Sequence, residues 1–226
     1  MMNRIGIAGM ALISLASAPA VAAAQRCEGT ASFAGGGPRF GTSVARAPYT
    51  TTLAGEITFG RNNSLFASAG YSHTKYDNSN LFSGGLQGSL GYEFALGSRV
   101  QFCPIASVGR TSVMLFPGHG RLDMSTTAIG VGGSLGVTAA SSRNFDFIPS
   151  VGLQFVAARS STEYAVIGLP ASSSKWHGTM GNLSLSSGFV LHKAITLSPM
   201  LTIPLGINHA GSMYGLGLSY SFGHDW

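Results

Sequence analysis

Residues 214–222 read YGLGLSYSF, with Tyr214, Leu216, Leu218, Tyr220 and Phe222 on one parity and Gly215, Gly217, Ser219 and Ser221 on the other. A repeat of two means a β-strand whose successive side chains point to opposite faces. The apolar face of such a strand has to be covered by something. The same split recurs upstream, in Leu53, Ile57 and Phe59, in Leu86, Leu90, Tyr92 and Phe94, and in Ile129, Val131, Leu135 and Val137. It returns in Phe145, Phe147, Val151, Leu153 and Phe155, then in Leu183, Leu185, Phe189 and Leu191, and finally in Ile195, Leu197, Leu201, Ile203, Leu205 and Ile207.

Two packed sheets would turn these faces inward and put the other parity in water, where charged side chains belong. Here that parity is Gly, Ser, Thr and Ala, with Glu56, Glu93 and Asp146 the charged residues among it. Charged residues make up 9% of the chain, against about 25% in an ordinary globular protein. Small, weakly polar residues suit a narrow enclosed lumen. The expected fold is therefore all-β: a single antiparallel up-and-down transmembrane barrel, apolar face to lipid, closed because a sheet in hydrocarbon can leave no edge. Membrane helices fit less well, since the uncharged stretch 124–142 is rich in Gly, Ser and Thr.

The N-terminus has the form of an export signal: Arg4, an apolar run from Ile5 to Leu15, and small residues from Ala18 to Ala24. The run is too short to cross about 30 Å of hydrocarbon. We expect a signal peptide over 1–24 and a barrel domain over 25–226, delivered to the cell outer membrane. Without Arg4 the formal charge falls to +4, with no Lys/Arg cluster, so no nucleic-acid partner is expected. Arg26 precedes Cys27, where a lipoprotein signal wants a small residue, so lipidation is not expected. Cys27 and Cys103 are the two cysteines of an exported chain and are expected to form one disulfide; two unpaired buried thiols are the alternative.

Short polar turns are expected at 61–63, 97–98, 141–144 and 192–193, and longer loops at Pro38 to Pro48, Tyr76 to Asn80, Phe116 to Asp123, Ser160 to His177 and Asn208 to Gly211. Four short turns and five loops join ten strands with both termini in the periplasm; eight strands is the alternative count. The first strand is expected over Gly29 to about Pro38. The repeats VQFCP, FDFIP and ITLSP place Pro104, Pro149 and Pro199 alike in ascending strands, and each proline should meet a bulge or an unpaired ladder position.

The signal, the alternating strands and the terminal LGLSYSF make the chain resemble small outer-membrane barrels of the OmpA-like and OmpX-like type. The resemblance implies a monomer that meets outer-membrane lipids, including lipopolysaccharide, and the barrel-assembly machinery. The assembly signal would lie in the last strand, Tyr214, Leu216, Leu218, Tyr220 and Phe222, or at Trp226, since GHDW separates Phe222 from the end. Some small outer-membrane barrels are hydrolases at their rims, which makes rim histidines, serines and acids the candidates for such chemistry here. His209 and Ser212 have no acidic neighbour to orient the histidine. Asp77, Asp123 and Glu163 stand isolated in sequence, and His119 and His177 are single loop histidines.

The reading is an integral outer-membrane protein with a structural or interaction role, no enzymatic activity and no cofactor or metal, with a small passive pore as the one transport role left open. A rim-located lipid or protein hydrolase and a soluble exported barrel or sandwich binder are the competing readings. Glu56, Glu93 and Asp146 are expected to make lumen ion pairs, with Arg26 or other cations. Basic residues at both ends of the strands, among them Lys75, Arg110, Arg159 and Lys175, and the aromatics Tyr71, Tyr76, Tyr92, Tyr164, Trp176 and Tyr214 are expected at the membrane interfaces. A Cys27–Cys103 bridge closes a long chain segment, which stabilises by about 4 kcal/mol in the chain-entropy model. Mass spectrometry of a non-reduced digest should contain the cross-linked peptide pair; two separate thiol peptides would sink the bridge.

Overall fold

Period-two alternation becomes strand in the computed structural model, which describes residues 37–61, 64–77, 81–115, 120–166, 172–206 and 211–222. In chain order the strands are β1 (Arg39–Ala47), β2 (Thr50–Gly60), β3 (Leu65–Tyr76), β4 (Phe82–Tyr92), β5 (Phe94–Ala95), β6 (Val100–Leu115), β7 (Gly120–Val137), β8 (Ala140–Ser141), β9 (Phe145–Val166), β10 (Ser172–Leu191), β11 (Ile195–Leu205) and β12 (Met213–Ser221). The short β5 continues β4 against β6, and β8 continues β7 against β9. That leaves ten staves, each antiparallel to its sequence neighbours. The sheet closes where β12 pairs with β1, from Arg39↔Ser221 to Arg46↔Tyr214.

Ten strands is the expected number, but the first lies elsewhere. Gly29 to 36 fall outside the described residues, and the first described strand is Arg39–Ala47, within a segment expected as a loop. RFGTSVARA does alternate: Phe40, Thr42 and Val44 face out, while Arg39, Ser43 and Ala45 are buried inside. Because β1 pairs on both sides, closure needs no earlier strand. The expected long loop shrinks to the Pro48-Tyr49 turn.

Two other loops were overestimated for a similar reason. Residues 120–123 and 160–166 continue β7 and β9, and 172–177 already belong to β10. Ser161, Glu163, Ser173, Lys175 and His177 keep these segments polar, so they read as loop, yet they stay paired. Strands β6, β7, β9 and β10 contain 16, 18, 22 and 20 residues, where about 9 to 11 cross a membrane. Their upper parts form a four-stranded ribbon beyond one side of the barrel, from Leu115↔Leu122 through Gly120↔Val166 to Ser172↔Tyr164.

At the opposite end the short turns expected at 97–98, 141–144 and 192–193 join their strands, and of the turn expected at 61–63 residues 62 and 63 lie outside the described residues. In the β10–β11 turn, His192 and Lys193 have φ of 47° and 56°, and the Ala194 amide donates to the Leu191 carbonyl at 3.1 Å. Two left-handed residues between paired strands match the turn twist that a two-residue hairpin prefers.

Each of the three repeat prolines faces an interruption of its ladder. Pro104 lies across from the Tyr92–Glu93 break between β4 and β5, where pairing resumes in unchanged register. Opposite Pro149, three residues of one strand (137–139) face two of the other, a one-residue bulge between β7 and β8. At Pro199 the β10–β11 ladder stops between Ser186↔Met200 and Phe189↔Leu197. Proline supplies no amide hydrogen, so a partner there would go unpaired.

Outside, the barrel is apolar: Leu53, Leu86, Leu90, Ile129, Val131, Phe155 and Leu218 are all exposed, Leu86 by 68%. A belt of this size left in water would drive association, whereas hydrocarbon covers it without cost. Inside, small residues let the strands approach and large ones fill the gaps. A Cβ on Gly91 would come within 2.8 Å of the Pro104 carbonyl oxygen and closer still to the Phe66 ring, and Phe66 packs with Cys103 and Ile105. Gly91→Ala should lower unfolding stability in detergent by about 1–3 kcal/mol, read from urea titration; an unchanged midpoint would mean the lumen is looser than this packing implies.

Candidate functional site

The lumen end near the short turns collects the charges that the outer wall excludes. Arg39 enters at the start of β1, Glu56 near the end of β2 and Glu93 in the gap that Pro104 opens between β4 and β5. All three are buried, Arg39 and Glu93 to 1% exposure. The Arg39 Nε donates to Ser221 Oγ at 2.8 Å, and both carboxylates act electrostatically on its guanidinium. The Thr58 hydroxyl donates to Glu56 Oε1 at 2.8 Å, with Ser68 as a further hydrogen-bond partner. The Glu93 amide, released from the ladder, donates to the Ser64 carbonyl at 3.1 Å.

Asp146 makes a separate pair. Lys193 Nζ donates to both of its carboxylate oxygens at 2.7 Å, and Ser141 Oγ donates to Oδ1 at 2.6 Å. The pair fastens the left-handed His192-Lys193 turn to the start of β9. Glu56, Glu93 and Asp146 thus all sit on the lumen face, and the first two share a cation that the sequence reading did not single out. Arg26, named there as a partner, lies outside the described residues. The signal for Arg39 was its parity, shared with Ser43 and Ala45 against Phe40 and Val44.

Beside and above the charges the lumen is held by short side chains bonding across strands. Thr52 and Thr74 hydroxyls meet at 2.8 Å, Ser68 and Ser89 at 2.8 Å, and Gln154 Nε2 donates to Ser107 Oγ at 2.9 Å. Toward the ribbon, Tyr76, Leu81 and Val113 pack together with Met124, and Ala158 with Met180, Val156 and Trp176. Tyr76 and Trp176 were expected at the membrane interface but turn inward, because both are even-numbered on strands whose even face lines the lumen. Tyr71 and Tyr214 do face out, as does Tyr92; the Tyr164 side chain is not among those described.

Cys103 is completely buried on the lumen side, and no free thiol occurs among the described residues. Cys27 lies outside them. Tyr214, Leu216, Leu218 and Tyr220 form the outward face of β12. Phe222 follows directly, its ring edge-on to Phe40 at 5.5 Å and its amide bonded to the Pro38 carbonyl at 3.0 Å. Trp226 lies outside the described residues.

Among the described residues, Asp77, the Asp123–Glu163 pair and His177 are not brought together as one group. Asp77 is bound by Arg46, Nη2 to Oδ2 at 2.6 Å. Asp123 and Glu163 stand opposite each other on β7 and β9. His209 and His119 lie outside the described residues, and His177 is on the outer face of the ribbon. Among the described residues no three His, Cys, Asp or Glu side chains are placed to hold a metal.

Replacing Arg39 by Met should destabilise the barrel by roughly 3–5 kcal/mol, since Glu56 and Glu93 would stay buried without their cation. The triple change Arg39→Met, Glu56→Gln, Glu93→Gln should recover most of that loss. Equal midpoints for the single variant and the unmodified protein, by urea unfolding in detergent, would mean that the cluster contributes nothing.

No family model matches the chain, and no curated protein matches it. Among solved structures it is similar to the β-domain of the Bordetella autotransporter BrkA, at 13% identity and a TM-score of 0.49, over 84% of this chain and 100% of that one. It is similar to the outer membrane protease OmpT from Escherichia coli at 8% identity and 0.48, over 83% and 94%. The N-terminal barrel domain of Pseudomonas aeruginosa OprF aligns at 11% identity and 0.41, over 83% and 98%. The reading of this chain rests on its own strand geometry: a closed antiparallel ten-stranded barrel with a greasy outer wall and a polar, charged interior.

Proposed function

We propose that the chain is an integral outer-membrane protein that holds a rigid barrel in lipid and presents its β6–β7–β9–β10 ribbon outside the membrane as an interaction surface. The observation that carries this is the division of faces. Outward residues are apolar through the barrel and turn polar where the ribbon begins, at Arg110, Thr127, Arg159 and His177. A wall of that pattern is matched to hydrocarbon below and water above.

The lumen favours structure over transport. Buried side chains occupy it near the short turns, in Arg39, Glu56, Glu93 and Phe66, and again toward the ribbon, in Tyr76, Leu81 and Val113. A narrow barrel filled by side chains is a stiff post. Export through cleavage of residues 1–24 and a Cys27–Cys103 bridge that pins the N-terminal segment at the lumen mouth belong to the same reading. So do recognition of the last strand, with Phe222 or Trp226 as its terminal aromatic, by the assembly machinery, and a monomeric state without enzymatic activity. Lys75, Arg110, Arg159 and Lys175, exposed on the wall above the apolar belt, are suited to phosphates of outer-leaflet lipid such as lipopolysaccharide.

Purified in detergent, the mature chain should run fast on a gel unboiled and shift on boiling, and in planar bilayers it should give no stable conductance steps. Absence of the shift together with solubility in detergent-free buffer would overturn the membrane reading. Well-defined steps would leave the barrel standing and replace the structural role by a pore.

A further inference from the structure

The outer wall of the barrel is not smooth. Where β12, β1, β2 and β3 lie side by side, Thr42 and Gly55 face each other across the β1–β2 ladder and offer one short side chain and none. Leu218 flanks them on β12 and Tyr71 on β3, while Val44, Leu53 and Leu216 stand one outward position nearer the loops, all of them exposed. Large side chains around a small floor leave a hollow of about 620 Å³, and every residue that lines it is described. On a wall that spans the membrane the surroundings of this hollow are hydrocarbon. Left unfilled, it would forfeit dispersion contacts along its whole lining.

Toward the loops the wall then turns polar. Arg46, Thr51 and Lys75 form the next outward row, and at about 3.4 Å per residue they lie roughly 14 Å along the strands from the row of Thr42 and Gly55. Among the described residues Asp77 is the acidic group at this level, and Arg46 answers both of its oxygens, at 3.1 and 2.6 Å. That pair is neutral, so Lys75 leaves one positive charge over. Residues 78–80 and 207–210, the adjoining positions outside the described residues, contain no Asp or Glu. Below Lys75 on the same strand, His73 lies against Phe82 with ring centroids 5.2 Å apart and completes the β3 side of the hollow. On the proposed membrane placement, with the ribbon end outward, we infer that the hollow binds one phosphate-bearing lipid of the outer leaflet, an acyl chain lying against Thr42 and Gly55 and the phosphate at Lys75. The order of the parts is that of such a lipid: a cation at the polar boundary and an apolar recess directly beneath it. An ammonium on a long flexible stem can follow the phosphate along the interface. A free phosphate ion would leave the recess empty, and a second barrel, convex at this level, would touch its rim without filling it.

The test is native mass spectrometry of the detergent-folded full chain titrated with phosphatidylglycerol, which should remain bound as a single lipid. A Cβ on Gly55 meets nothing nearer than the Gly41 carbonyl oxygen at 4.0 Å, so Gly55→Leu fills the hollow while the strands keep their places. Gly88→Leu adds the same side chain to the outer wall away from the hollow, where the Cβ is 3.4 Å from the Ser68 carbonyl oxygen. Gly55→Leu should weaken retention by at least about tenfold, and Gly88→Leu should leave it unchanged. Lys75→Gln should weaken it about fivefold, the equivalent of about 1 kcal/mol for one basic residue at a charged lipid surface. Diacylglycerol with the same chains, which lacks the phosphate, should respond to Gly55→Leu and not to Lys75→Gln. Unchanged retention in Gly55→Leu, or an equal loss in Gly88→Leu, would overturn the hollow as the site. Retention of phosphatidylglycerol unaffected by Lys75→Gln would overturn the phosphate contact, and a dimer that disappears in Gly55→Leu would assign the hollow to a second copy. The heat shift is read for every variant: no retained lipid with the shift intact rejects the lipid site alone, whereas loss of the shift in the unmodified protein rejects the membrane reading beneath it.

Discussion

Every backbone amide and carbonyl of a sheet in hydrocarbon must find its partner within the sheet, since no water is there to take its place. The β1–β12 ladder, Arg39↔Ser221 to Arg46↔Tyr214, meets that demand by joining the last strand to the first. Closure then gives every side chain one of two environments, lipid or lumen. The alternation of Leu with Gly and Ser is the consequence, because one parity is selected for solubility in hydrocarbon and the other for fitting a narrow interior.

Within that closed wall, the departures from ideal pairing are where the distinctive features sit. Pro104 cannot donate, so the β4–β6 ladder opens, and Glu93 is freed to bond the β2–β3 turn while its side chain enters the lumen beside Arg39. Pro149 brings a bulge and Pro199 a gap, each near the short-turn end. The same end carries the charged groups: Lys193 bonds Asp146, and Glu56 and Glu93 act on Arg39. At the other end β6, β7, β9 and β10 run on beyond their neighbours, and unequal strand lengths raise one side of the barrel into a four-stranded ribbon.

Much of this was legible in the chain. Strand parity, the short turns, the number of staves and the proline interruptions all follow from local chemistry: alternation, turn residues and a missing amide hydrogen. The first strand was misplaced because Arg39 and Arg46 make its ends look like loop, although Phe40 and Val44 keep the alternation. The ribbon was taken for loops because, above the membrane, neither face needs to be apolar and the hydrophobic period fades while the hydrogen bonds continue.

The amino-acid sequence by itself determined which face of each strand meets lipid, since hydrophobicity at alternate positions is a property of single residues. Only the tertiary structure decided which residues from distant strands meet. Arg39 reaches Glu56 and Glu93, Lys193 reaches Asp146, and Arg110, Arg159 and His177 fall in one row, because closure and register set those distances. The sequence spacing of these residues does not. The ribbon has the same origin: it exists because β9 continues to Val166 and β10 begins at Ser172 while β11 stops at Leu205, a comparison between strands that no single stretch of sequence contains.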